Sequence, residues 1–178
     1  PGLWNAAAFA RTLHVGVPIG LSFGLEIGAF GCVQVFMGQL GERELAANQV
    51  VMSLVSASFM LPLALSMAAS VRVGNAIGRG APAAAKRAAQ AALTLGASAM
   101  LLSAAAFALA PMTLARIFTD IEGVLVVAVT LLPIAALFQV FDGVQGVAMG
   151  CLRGMADTRV PLLVHVVGFW GVAIPVSA

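Results

Sequence analysis

The chain has 178 residues, 61% of them hydrophobic and 9% charged, with a mean hydropathy of +1.05. That excludes an ordinary soluble globular domain, in which about a quarter of residues are charged. Nine basic residues against seven acidic ones leave a formal net charge of +2, too small and too dispersed to imply a nucleic-acid partner.

Runs of more than about 18 residues with few charges read as helices that cross a bilayer. Five such runs occur, at 13–40, 45–71, 88–115, 124–152 and 160–178. They are long and continuous rather than short and alternating, which argues against a β-barrel. The expected fold class is therefore all-α, a polytopic membrane helical bundle. The chain opens on PGLW and closes on AIPVSA without a polar tail, so we expect a piece of a longer protein. The first run is too long for a cleavable signal peptide, and insertion is expected to rely on the spans themselves.

On the first span Gly16, Gly20, Gly24 and Gly28 recur every four residues, the small-xxx-small pattern that lets helix backbones approach closely. Glu26 lies about 200° around the helix from Gly24. The glycine stripe is thus expected to pack on neighbouring helices while Glu26 points into a wetter space. On the second span Asn48 and Gln49 sit near one end, followed by Ser53, Ser56 and Pro62; amides at that depth either line a cavity or solvate the interface. The connection RVGNAIGRG lacks the GK[ST] ending and the preceding strand of a phosphate-binding loop, and reads as a tight turn.

The fourth span places Gln139, Asp142, Gln145 and Gly146 at three- and four-residue intervals, which makes one polar strip along a helix. Gly150 and Gly154 extend its small face, and Pro133 upstream is expected to bend it. Cys32 and Cys151 fall in apolar surroundings and read as buried small side chains. His14 and His165, near ends of the first and fifth spans, read as interface anchors.

Alternating the spans across a bilayer gathers Arg11, Arg72, Arg79, Lys86, Arg87, Arg153 and Arg159 on one side, against Asp157. The other side receives Arg43 and Arg116 beside Glu42, Glu44, Asp120 and Glu122. Basic bias sets orientation, so the first side, with the N-terminal flank, is expected to be cytoplasmic. Two acids stay inside spans, Glu26 and Asp142. A charge there costs about 3 kcal/mol on insertion scales and marks a functional site by default, the alternative being a neutral acid hydrogen-bonded for packing.

The segments MAASVRVGNAIGRG and FQVFDGVQGVAMGCLRGMADTRVP, with PIGLSFGLEIGAF before them, resemble the multidrug and toxic compound extrusion (MATE) transporters, bacterial members in particular. The resemblance covers nearly the whole chain. It implies a twelve-helix antiporter of two six-helix lobes, of which this chain supplies five helices of the second lobe and lacks the N-terminal lobe. It also implies a multi-pass protein of the inner (plasma) membrane that exports organic cations in exchange for Na+ or H+, with no cofactor besides the coupling ion.

By the same likeness Glu26 and Asp142 match the family's coupling carboxylates on its seventh and tenth helices, and are the candidate ligands of a Na+ ion. Gln139, Gln145 and Gln49 are expected as neutral partners. Some members carry a tyrosine one turn before the tenth-helix acid; here Phe138 stands there and the chain has no tyrosine, which leaves the coupling ion open. Three other classes fit less well. An intramembrane enzyme would need HExxH, GxSxG or paired aspartates, and none occurs. A lipid-precursor flippase with anionic cargo would favour basic residues inside the spans. A non-transporting membrane module would not predict pH- or sodium-dependent binding of an organic cation.

Overall fold

A backbone inside lipid has no water to bond, so each apolar run must close its own ladder of hydrogen bonds. In the computed structural model, which describes residues 6–157, the runs do so as α1 (Ala6–Leu40), α2 (Glu42–Gly78), α3 (Pro82–Leu109), α4 (Pro111–Arg116) and α5 (Glu122–Gly154). Four stretches are long and apolar enough to cross a membrane: Gly16–Gln39, Glu42–Gly78, Pro82–Leu109 and Glu122–Gly154. The span expected at 160–178, with His165 and Arg159, lies outside the described residues. The chain divides into two compact units, Pro1–Phe36 with Ala156–Ala178, and Met37–Met155.

In the first unit α1 continues through Pro18, whose carbonyl accepts a 2.8 Å hydrogen bond from the Ser22 hydroxyl. Ser22 and Ala29 are buried, whereas Val17, Leu21 and Ile27 are exposed. Three glycines of the expected seam meet no packing partner among the described residues: a Cβ placed on Gly16, Gly20 or Gly24 would meet nothing within 4 Å. The motif permits close approach, but it does not itself provide a partner surface.

The second unit is built on α2, α3 and α5, each packed on the other two. The pairing of residues gives their directions. A Cβ on Gly123 would meet Arg43, one on Gly143 would meet Pro62, and one on Gly154 would meet Ser70, so α5 runs parallel to α2. Gly96 faces Val147 and Met100 faces Gly143, so α3 runs antiparallel to both.

Alternating directions carry the charges to opposite ends. Arg72, Arg79, Lys86, Arg87 and Arg153 lie toward one end, and Glu42, Glu44, Asp120 and Glu122 with Arg43 and Arg116 toward the other. The outward faces are apolar, with Leu102, Leu109, Leu137 and Phe141 among the most exposed side chains, as a lipid-facing surface requires.

Helix bounds differ from the expected spans where a proline or a charge decides. The third span was expected to run to 115, but α3 ends at Leu109, and α4 restarts at Pro111 after Ala110 leaves helical geometry at φ −132°, ψ 43°. Proline disfavours a helical residue before it and is at ease as the first residue of a helix. At its basic end α2 runs on to Gly78, for 37 residues in all, about 56 Å and far longer than the roughly 30 Å hydrocarbon layer. It closes on Gly80 at φ 66°, with the Gly80 N–H on the Ile77 carbonyl and the Ala81 N–H on the Ala76 carbonyl. This is a glycine-terminated helix end, so the RVGNAIGRG segment is the tight turn expected of it. The helix α5 runs unbroken through Pro133, which is exposed.

Two apolar clusters fill the unit. One joins Val50, Val51 and Leu54 of α2 with Phe107, Ala115, Leu125, Ala128 and Leu132. The other joins Ala69, Val73 and Ala76 with Ala85, Ala92, Val147 and Cys151. Between their levels lies a polar layer.

Candidate cation site

That layer begins with Gln139 on α5, which is only 2% exposed. Its Nε2 donates to Ser103 Oγ of α3 at 3.3 Å, Ser103 Oγ donates to Ser58 Oγ of α2 at 2.8 Å, and Ser58 Oγ also donates to the Leu54 carbonyl at 3.0 Å. Three helices are thus tied by one directed chain of hydrogen bonds, and both hydroxyl protons are used within it. Gln139 Oε1, at its head, is buried with no hydrogen-bond partner among the described residues. An amide that donates through nitrogen becomes a better acceptor at oxygen, so this end of the chain favours a donor or a cation.

Ser103→Ala is expected to cost about 1 kcal/mol by stranding the Gln139 amide nitrogen, and Gln139→Leu less, because it removes the stranded oxygen together with the donor. Unfolding midpoints of the two variants in detergent test this; a larger loss for Gln139→Leu would contradict it.

One turn on, Asp142 is half-buried. Spacing at 100° per residue puts Gly143 and Gly150 within about 40° of Gln139, Asp142 about 60° to the other side, and Gln145 about 120° away. The expected single strip is therefore split. Gln139 belongs to the packed face, Asp142 to its margin, and half-buried Gln145 beyond it.

Glycines let this face close on α2. A Cβ on Gly150 would run into the backbone carbonyl and hydroxyl oxygens of Ser66, and one on Gly154 would stand 2.5 Å from the Ser70 carbonyl oxygen. The Ser66 hydroxyl donates to the Gly146 carbonyl at 2.8 Å, a bond across the seam that only this closeness allows. A Cβ on Gly146 would stand 3.0 Å from the Phe59 ring.

Glu26 lies within α1, in the unit that does not hold Asp142, and its side chain lies outside the described set. Gln49 is exposed near the acidic end of α2, where its backbone carbonyl accepts the Ser53 hydroxyl. By the parallel register it is about twelve residues, roughly 18 Å, from the level of Asp142, and the structure does not bring them together. Asn48 is half-buried, with Nδ2 lacking a hydrogen-bond partner among the described residues. Phe138 is half-exposed on α5. Among the described residues no group of three or more His, Cys, Asp or Glu side chains comes together.

Ser58, Ser66 and Ser103 were not singled out in the sequence, where Ser53 and Ser56 drew attention instead; those two are exposed. Aligning the second, third and fourth spans in alternating directions would have put Ser58, Ser103 and Gln139 at one depth, the signal that was available.

The arrangement is that of an intramembrane carboxylate beside a buried amide, in helices otherwise apolar. A family model, MatE, matches residues 18–178 of the chain. The chain belongs to the MatE family. It is 42% identical over 166 residues to a probable multidrug resistance protein NorM of Burkholderia pseudomallei, covering 90% of this chain and 36% of that protein. The corresponding protein of Brucella suis is 41% identical over 170 residues, 93% of this chain and 36% of its own length. That of Xanthomonas axonopodis pv. citri is 39% identical over 171 residues, 96% and 37% respectively. This MatE chain thus spans little more than a third of the relatives it matches.

Proposed function

We propose that this chain forms most of the second lobe of a secondary antiporter that exports organic cations in exchange for Na+ or H+, and that an N-terminal lobe completes the cavity. The observation that carries the reading is Asp142: one carboxylate at the level between two apolar clusters, one turn from a buried amide whose oxygen lacks a partner. Family membership and the relatives' names as multidrug resistance proteins support it. The protein sits in the inner (plasma) membrane with the basic ends of α2, α3 and α5 in the cytoplasm. It acts by transport and not as an enzyme.

A proton, a sodium ion and an organic cation each neutralise the same half-buried carboxylate, so occupancy by one excludes the others. When the lobes rock between inward-open and outward-open forms, this exclusion couples the opposite movements. Asp142 with Gln139 and Gln145 forms a cation site in the Met37–Met155 unit, Glu26 is a further coupling carboxylate in its own unit, and Na+ is a candidate occupant of each. Gln49, remote along α2, stays outside this group. Anionic cargo is disfavoured, because every Lys and Arg of this unit lies toward a helix end or in a connection.

The test is binding of a fluorescent organic cation to the full-length protein in detergent. Affinity is expected to fall as Na+ or H+ concentration rises, in a competitive pattern. Binding indifferent to both ions would refute the exclusion mechanism.

A further inference from the structure

Arg72, Asn75, Ala76 and Arg79 of α2, with Ala84 and Ala88 of α3, line a cleft of about 220 Å³ at the basic end of the Met37–Met155 unit. Its shape follows from the turn at Gly80, where the glycine-terminated end of α2 brings the first turns of α3 back beside the last turns of α2. Both arginines are exposed, and neither guanidinium has a hydrogen-bond or ion-pair partner among the described residues. From residue 72 to residue 88 the chain holds Arg72, Arg79, Lys86 and Arg87 and no acid. Arg43 at the opposite end behaves differently, its stem lying across Gly123 with Cδ 3.0 Å from where a Cβ would be.

Membrane orientation needs only that basic residues gather on one side. It does not require two of them to line one concave space with an amide between them and, among the described residues, no carboxylate. That set suits a phosphate, which guanidinium groups grip through paired N–H donors. The surface below the cleft names the rest of the ligand. At helical spacing the face of α2 that bears Arg72 and Arg79 continues as Ala68, Leu65 and Leu61, and the face of α3 that bears Ala84 and Ala88 continues as Ala91, Leu95 and Leu102. Leu61, Leu95 and Leu102 are 54%, 59% and 74% exposed. Leu65 reaches to 3.9 Å from the Cβ position of Gly96, so α2 touches α3 at this level and the two exposed faces flank that contact.

We propose that this cleft binds the phosphate headgroup of an anionic phospholipid, with its acyl chain lying along the exposed faces that flank the contact of α2 with α3. The proposal rests on the chain spanning a bilayer and not on what it exports. Electrostatic attraction supplies affinity, and the charged rim above apolar faces selects a lipid over a free anion.

The test is lipid retention by the full chain, extracted from vesicles holding equal amounts of phosphatidylglycerol and phosphatidylcholine and read by native mass spectrometry. We expect retained phosphatidylglycerol to exceed phosphatidylcholine by about tenfold. Arg72→Gln with Arg79→Gln should remove the preference, whereas Lys86→Gln with Arg87→Gln, an equal loss of charge outside the cleft, should keep it. Retained preference in the first pair, or equal loss in both, overturns the site and leaves only diffuse charge. Displacement of the lipid by inorganic phosphate overturns the lipid as ligand in favour of a soluble anion. If the first pair fails to insert, photoactivatable phosphatidylglycerol on the unaltered chain decides: crosslinks within residues 61–102 support the site, and crosslinks confined elsewhere refute it.

Discussion

Asp142→Asn in the full-length transporter is expected to bring export of a fluorescent organic cation down to the level of cells without the transporter, while the protein keeps its amount and place in the membrane. Asparagine has nearly the shape of aspartate and can still hydrogen-bond, but it can neither hold a negative charge nor exchange a proton. Removing an acid from mid-span should if anything ease insertion, by up to about 3 kcal/mol, so loss of export cannot be put down to loss of protein. Asp142→Glu, which keeps the charge on a longer stem, should retain part of the activity. Export measured in inverted vesicles under an imposed Na+ or H+ gradient gives the readout. Undiminished export by Asp142→Asn would remove Asp142 from the mechanism even if organic-cation binding elsewhere in the protein persisted.

The second large effect is on stability and follows from the seam between α2 and α5. Gly150→Ala is expected to destabilise the chain by about 3 kcal/mol, near the upper end of the range for overpacking a tight interior. The new Cβ meets Ser66 backbone, including its carbonyl carbon at 2.7 Å, and backbone cannot swing aside. To relieve it the two helices must part, which also stretches the bond from Ser66 to the Gly146 carbonyl.

Gly143→Ala meets a different obstacle, the Met100 side chain with Sδ at 2.7 Å and the Pro62 ring at 3.2 Å. Methionine can change rotamer, so about 1 kcal/mol is expected there, held up by the complete burial of Met100. Gly20→Ala on α1, where nothing lies within 4 Å, should be neutral or slightly stabilising through helix propensity. Unfolding of the three variants in mixed micelles ranks them; a loss at Gly20 as large as at Gly150 would show that the seam is not what sets the ranking.

These expectations show how far each kind of residue could be read without a fold. Long apolar runs have one outcome in lipid, since the backbone can only satisfy itself as a helix there, and α2, α3 and α5 therefore lie close to where hydropathy put them. Boundaries were weaker. Pro111 ends α3 at Leu109 and restarts the chain as α4, a local steric rule that a hydropathy window averages away.

Glycines misled in one place and held in another. Gly16, Gly20 and Gly24 of α1 have the regular spacing of a packing seam yet meet nothing among the described residues, while a Cβ on Gly150 or Gly154 of α5 would meet α2 backbone. Spacing describes one helix, and close packing is a property of two.

What the sequence determined alone is the membrane-spanning class, the segregation of charge to opposite ends and the presence of two intramembrane acids, because each depends on transferring individual side chains between water and lipid. Only the tertiary structure decided that Gln139 turns into the three-helix core toward Ser103 and Ser58 while Asp142 stays at its margin, that Gln49 is remote from both, and that Arg72 and Arg79 share one cleft. Those are questions of rotation and register between helices, and they are settled by which side chains interlock, which no single helix can specify by itself.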